Sequence, residues 1–567
     1  MARQDPTTGA PRTSGRARGR RARIAWAVLA VTALALGSCG DDDGESTATT
    51  ATTPTSAGGT STTSATTAPA SDDECTEERR GGTLTMGTLS PPSGIDPVRL
   101  QGAGSVGGTE VAAFYDILMQ YDTTTGEYSP RVAESLEAND DYTEWTLKLR
   151  EGVRFGNGDP LDAEAAKRHF ERLANPANRS VWVGFLALIT SMDVVDDHTL
   201  VFHLRSSWPG FPAVLADAPG MVVNTTIADR LGLDAFGLNP QGAGVGPFEL
   251  ARFAPGEEIV FEPKDDYWDG PVCLERLRFI PLPVATTNYE AFKRGEVQVS
   301  YTNDAPTAAE VRAAGVQHFV SLESHGSSLL INHGYRGATP PTADVRVRKA
   351  IAYAIDVDAL NDRIWDGKAI ATSALVAEGS RYYQGLQGPP HDPARARALV
   401  EEVKAEGTWD GSVELTCTAP SQDLAVTIEG MLEAVGFSVQ TEATLTTPDM
   451  LGRIFGAGNY QLNCWAWTAS DVEFWARLYQ NLYSTSTGNV QGYNNPDMDA
   501  AIDELQAARD DDEIKRALAK VQEIWNETIP LTIFNGREAI IYWADEVHGL
   551  DISLRTLVFF DDTWLEG

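Results

Sequence analysis

Gln241-Gly242-Ala243-Gly244-Val245-Gly246-Pro247-Phe248-Glu249-Leu250, read QGAGVGPFEL, sets three glycines and a proline directly before the alternating run FELARF. Glycine reaches backbone conformations that strain other residues, so the stretch predicts a tight turn that delivers a strand starting near Phe248. Elements of both kinds alternate on either side of it. TLTMGTL after Gly82, YTEWTLKLREGVRF with Trp145, Leu147 and Leu149 in alternation, HTLVFHLR, EEIVFEP, LERLRFIPL, IPLTIF and AIIYWA predict strands. TEVAAFYDILMQYD, DAEAAKRHFERLA behind an Asp162 cap, NYEAFKRGEV before Gly295, and DDDEIKRALAKVQEIWNE predict helices. In ADVRVRKAIAYAID, Val347, Ala350, Ile351, Ala354 and Ile355 fall on one helical face, capped by Asp344. The interspersed pattern, without an internal repeat, predicts an α/β protein.

At the N-terminus, seven arginines precede the uncharged run Ile24–Leu36, whose length of about 13 residues is short of the ~20 a membrane-spanning helix needs. The order basic, apolar, small is that of an export signal, expected over residues 1–38. Arg20-Arg21 also fits a twin-arginine signal. Leu36-Gly37-Ser38-Cys39 resembles the bacterial lipobox, which makes Cys39 the expected lipidated first residue of the mature chain, held at the outer face of the cytoplasmic membrane. Residues 39–80, rich in Thr and Ser after an acidic start, read as a disordered tether.

A formal net charge of −35 excludes nucleic acid as a natural partner. The remaining stretch of about 490 residues exceeds the size at which one core stops growing, so at least two lobes are expected. With Cys39 lipidated, four cysteines remain, which allow three pairings. Cys75–Cys273 is favoured because each precedes a strand-like run, and Cys417–Cys464 because each lies within or ends one.

Enzyme signatures find no local support. GAGSVG (Gly102, Gly104, Gly107) matches a dinucleotide fingerprint, but no apolar strand leads into it. The eight histidines form no H-E-x-x-H, and neither a nucleophile elbow nor a P-loop occurs. No cysteine or histidine cluster has metal-ligand spacing, so neither a metal nor a cofactor is expected.

The glycine turn resembles the GTGPY signature of the family 5 extracellular solute-binding proteins, with Val245 in the place of Thr and Phe248 in that of Tyr. The resemblance runs from about Gly81 to the end. It takes in the opening strand with its Ile95-Asp96-Pro97 turn, the segment Arg131–Leu173, the helix ADVRVRKAIAYAIDVDAL, and the closing stretch Tyr493–Phe534. It implies a two-lobed, periplasmic-binding-protein-like fold of type II with two crossover segments. The expected division is 81–319 for the first lobe, 320–529 for the second and 530–567 for the return, with crossings at Ser327–Gly334 and Ile529–Gly536. The implied function is capture of a peptide or peptide-like solute for the permease subunits of an ABC importer, by a monomer without enzyme activity. A secreted hydrolase and a ligand-sensing partner of a signalling receptor are the alternatives.

In the family's peptide binders a GW..D segment supplies an aromatic wall and an aspartate for the α-amino group. Here, in NCWAWTASDVEFW, Trp467 falls on the tryptophan and Ser470 on the aspartate, with Asp471 one place later. Either Asp471 takes the role or the amine contact is absent. Trp465 and Trp467 share one side of a strand and offer flat apolar area. Asn332 and His333, next to a predicted crossing, and Tyr493 complete the candidate ligand-binding set.

Overall fold

The computed structural model describes residues 75–89, 92–100, 104 and 107–567. The expected signal, Cys39 and nearly all of the tether lie outside the described residues, as does Gly102 of GAGSVG.

Two large sheets organise the chain. The first runs Gln317–Glu323, Asn535–Trp543, Val299–Thr302, Thr83–Thr88, Arg276–Pro281, Glu258–Pro263, Phe248–Ala254, with Ile370–Ala371 added beside Asn535–Trp543. The opening strand pairs in parallel with both neighbours, Leu84 opposite Leu277 and Met86 opposite Val299. An antiparallel four-stranded sheet belongs to the same lobe and sets Trp145 opposite Phe202 and Leu147 opposite Leu200. All four of these side chains are buried, as the alternation predicts. The second sheet runs Ser438–Leu445, Ser412–Thr418, Leu462–Ala466, Ser327–Ile331, Leu531–Ile533. Each sheet has its own apolar core.

The glycines of the turn have separate tasks. Gly242 has φ +76°, while a Cβ on Gly244 or Gly246 would lie 2.1 Å from the Phe114 carbonyl oxygen or 2.6 Å from its carbon. Gly246 N–H donates to that same oxygen at 3.0 Å, which ties the turn to the end of the helix Gly108–Tyr115. That helix is shorter than TEVAAFYDILMQYD suggests. Asp116 leaves it at φ +57° so that its carboxylate can meet Arg131 at 2.5 Å and accept from the Tyr267 hydroxyl at 2.6 Å, and Met119–Tyr121 is a strand. The helix after Asp344 covers Val345–Ala354, leaving Ile355 as an extended cap, and Asp356 starts a second helix, Val357–Trp365.

The chain changes sheets at two adjacent points. Gln317–Glu323 pairs throughout with Arg537–Trp543, so the first sheet keeps the chain to Glu323, beyond the expected boundary at 319. Ser324–Gly326 then leads into Ser327–Ile331 of the second sheet, one step before the stretch expected to cross. The return is at Phe534, between Leu531–Ile533 and Asn535–Trp543. The crossings are bonded together: Gly326 N–H donates to the Asn535 carbonyl at 2.7 Å and Phe534 N–H to the Ser327 carbonyl at 2.9 Å. Both cysteine pairs form, with Cα separations of 5.4 Å for Cys75–Cys273 and 4.9 Å for Cys417–Cys464.

Candidate functional site

A cavity of about 340 Å³ lies between the lobes, within the size range of small-molecule sites. The first lobe supplies Trp182, Phe185 and Trp208 from the segments around its four-stranded sheet, with Asp217 and Arg555. From the second lobe come Arg381, Asp471, Glu473, Trp475 and Arg477. The helix Phe474–Leu482 explains the second set. It buries Phe474, Leu478 and Leu482 in its own lobe, so Trp475 and Tyr479, one position later and again i, i+4, stand on the neighbouring face. Their rings meet the other lobe, with Trp475 4.6 Å from Trp208 and 5.8 Å from Phe185, and Tyr479 6.0 Å from Phe185.

Charges join the lobes beside this aromatic wall. Glu473 is held in its own lobe by Arg477, Nη2 to Oε1 at 3.1 Å, and by the Ser470 hydroxyl, which donates to Oε2 at 2.8 Å. Arg555 of the first lobe adds a bond across the cleft, Nε to Glu473 Oε1 at 3.0 Å, and reaches Asp217 at 3.5 Å. Burial alone would raise the Glu473 carboxyl, but the Arg555 and Arg477 guanidiniums and the Ser470 bonds outweigh it, and the group is held below the usual carboxylate range. Arg555 has φ +55°, and Thr556 follows at +63°. Two successive non-glycine residues in that region are costly and are kept only where the surroundings over-determine them, which is common at binding sites.

Of the residues expected from the sequence to bind ligand, Asp471 lines the cavity and Ser470 supports it through Glu473. Asp471 accepts from the Ser380 hydroxyl and from Arg381 N–H at 3.0 Å, both of its own lobe. The other five lie outside the lining. Trp467 is stacked between His325, at 4.5 Å and 6°, and Trp525, at 5.6 Å and 17°, inside the second-lobe core. Trp465 packs against Phe455 in the same core. Asn332 is fully buried, donating to the carbonyls of Gly458 and Tyr460 and accepting from the N–H groups of Gly334 and Tyr335. His333 bonds the Pro530 carbonyl at 2.8 Å and meets Tyr493 edge-on, while the Tyr493 hydroxyl pairs with that of Thr528 at 2.9 Å. Burial takes the His333 pKa down to about 3, with Arg348 adding to the fall.

The aromatic wall that sequence reasoning missed had one local signal. FWARLYQNLY carries two stripes, Phe474/Leu478/Leu482 and Trp475/Tyr479/Tyr483, which is more apolar surface than one core contact requires. Trp182, Phe185, Trp208 and Arg555 gave no signal, because their common location depends on contacts between segments hundreds of residues apart.

Two lobes joined by two adjacent crossings, with a lined cavity between them, define a solute-binding protein of the two-lobed type. Residues 127–489 match the bacterial extracellular solute-binding proteins, family 5 Middle, and the chain belongs to that family. The dipeptide-binding protein of Escherichia coli (strain K12) is 24% identical over 485 residues, covering 80% of this chain and 88% of its own. The glutathione-binding protein GsiB of Salmonella paratyphi A (strain ATCC 9150 / SARB42) is 26% identical over 453 residues, 77% of this chain and 86% of its own. The fold is also that of the ABC transporter-associated periplasmic binding protein DppA from Helicobacter pylori in complex with the peptide STSA. That structure has a TM-score of 0.72 and 22% identity, with 87% of this chain and 99% of the other covered.

Proposed function

We propose that the protein is the extracytoplasmic receptor of an ABC importer, enclosing a peptide or peptide-like solute between its lobes and presenting the closed form to membrane permease subunits. The observation that carries this reading is the cavity itself: aromatic rings from both lobes form its walls, and fixed charges of both signs from both lobes meet in it. A solute favours closure to the extent that it contacts both lobes there and only one when they part. The names of the relatives support the solute class. The family consists of binding proteins, and no catalytic step is needed for this role. Export through the signal at 1–38, anchoring through Cys39 and action as a monomer complete the proposal, on the strength of the sequence. Among the described residues no helix is long and apolar enough to cross a membrane.

The test is mass spectrometry of what copurifies with the protein, followed by thermal-shift screening of di- to octapeptides, sugars and metal chelates. A true ligand at one hundred times its Kd stabilises the folded form by about 2.7 kcal/mol, a readily measured rise in melting temperature. Peptides are expected to give that rise. If they do not and another class does, the peptide assignment fails.

A further inference from the structure

We propose that Arg381 and Arg509 are length-determining residues, which hold the closed cavity to solutes of two or three peptide units and exclude longer chains. The proposal rests on the peptide-like reading and narrows it. It is carried by the places where the lobes touch and by the size of the space between them.

The lobes meet on the cavity wall itself. Glu473, Trp475, Gln506, Arg509 and Arg381 of the second lobe all line the cavity, and each also touches the first lobe. Glu473 takes the Arg555 bond, and Trp475 stands against Trp208. Gln506 Nε2 donates to Ser206 Oγ at 3.4 Å, and the Arg509 guanidinium lies 5.3 Å from the centre of the Tyr142 ring. Arg381 reaches the turn between the strands Met119–Tyr121 and Tyr128–Pro130, where a Cβ on Gly126 would stand 2.8 Å from its Nη1. Gly126 has φ +77° and no side chain, which lets the guanidinium come up against that turn. From its own lobe Arg381 is braced: Nη2 donates to the Tyr382 hydroxyl and lies 3.3 Å from Asp511, and the guanidinium sits 4.8 Å from the centre of the Tyr382 ring. Arg509 is fixed at its base, where its backbone N–H donates to the Glu513 carboxylate at 2.9 Å.

The space inside these contacts, about 340 Å³, equals a cube about 7 Å on edge, and an extended peptide covers ~3.3–3.6 Å per residue. Two residues therefore span about the whole of it, and a third fits when the chain bends, whereas six residues extend to about 20 Å. A hexapeptide must run out past the wall towards water. Glu473, Trp208 and Gln506 are buried, so the contacts they make lie deep in the wall. Arg381 and Arg509 are exposed, and they stand where a longer chain would leave. A solute that parts the lobes there touches one lobe where a shorter solute touches both, and its preference for the closed form falls accordingly.

The experiment measures Kd by isothermal titration calorimetry on the full chain for Phe-Ala, Phe-Ala-Ala and Phe-Ala-Ala-Ala-Ala-Ala, and repeats the series on Arg381→Ala and on Arg509→Ala. Both side chains are exposed, and alanine at 381 keeps the backbone N–H that donates to Asp471. In the parent protein the hexapeptide is expected to bind at least about fivefold more weakly than the better of the two short peptides. A smaller gap overturns the proposal while leaving the peptide reading in place. In at least one variant the gap is expected to shrink by about threefold or more, because the lobes no longer meet at that point of the wall. A smaller change in both variants shows that the arginines do not set the length, and it overturns the assignment. If none of the three peptides binds while a non-peptide class raises the melting temperature, the proposed function falls and this inference with it.

Discussion

Trp467 and Trp475 stand eight positions apart in one segment and have opposite surroundings. Trp467 follows directly on a central strand of the second sheet, and its backbone N–H donates to the Gly326 carbonyl at the first crossing. The ring is thereby drawn inward, between His325 and Trp525. Trp475 sits on a helix whose core face is already filled, and it turns to the cleft. Trp467→Ala removes a stacked ring from a packed core, and a loss of about 3–5 kcal/mol of stability is expected, read as a lower urea midpoint. Binding should then suffer through unfolding. A stable Trp467→Ala protein that binds its ligand weakly would place this tryptophan in the recognition surface instead.

The helix Gly108–Tyr115 is buried on every side, and that single property of an element sets the chemistry of its first turn. Glu110 is fully buried there, and burial pushes its carboxyl up to about 8, against some relief from the backbone N–H groups of Gly107 and Glu110. A carboxyl raised in this way binds its proton more tightly in the folded chain than in the unfolded one. Its stabilising effect is complete below the unfolded value of 4.5 and is lost as pH rises through about 8. Glu110→Gln, which stays neutral, should gain in melting temperature relative to the parent protein as pH goes from 5 to about 8. A difference that does not change with pH would refute the buried acid. The caps of other elements were legible locally. Asp162 and Asp344 each accept from an N–H in the first turn of the helix they precede, because a short acidic side chain fits that geometry in any fold. The end of Gly108–Tyr115 was not legible, since Asp116 is turned out of the helix by Arg131 and Tyr267, one of them 151 residues away.

For the whole molecule, the Arg555–Glu473 bond is a charge contact that joins the two lobes across the cleft. Within the second lobe Glu473 keeps Arg477 and Ser470, so the open form loses little when Arg555 changes. Arg555→Met is therefore expected to lower ligand affinity by about tenfold, or ~1.4 kcal/mol, while the melting temperature of the empty protein changes little. Calorimetry together with a thermal melt separates the two effects. An equal fall in both would mean that Arg555 serves the first-lobe core, through Asp217, rather than closure.

Sequence by itself determined the α/β class, most of the strands and helices read from it, the glycine turn at Gly242–Gly246 and the family that their order resembles. These follow from periodicity, capping and backbone freedom, which act over a few residues. The pairing of Cys417 with Cys464 was suggested by two strand-like runs and decided by their parallel register, Thr416 opposite Asn463. Tertiary structure alone decided which aromatic residues line the cavity between the lobes. A periodic pattern shows that a residue lies on a particular face but not what that face meets. The cleft is made where Trp182–Trp208, Trp475–Tyr479 and Arg555 arrive from three distant parts of the chain. Trp467, chosen by its likeness to a binding motif, was taken into the core because its strand is central and the space beside it is filled by His325 and Trp525.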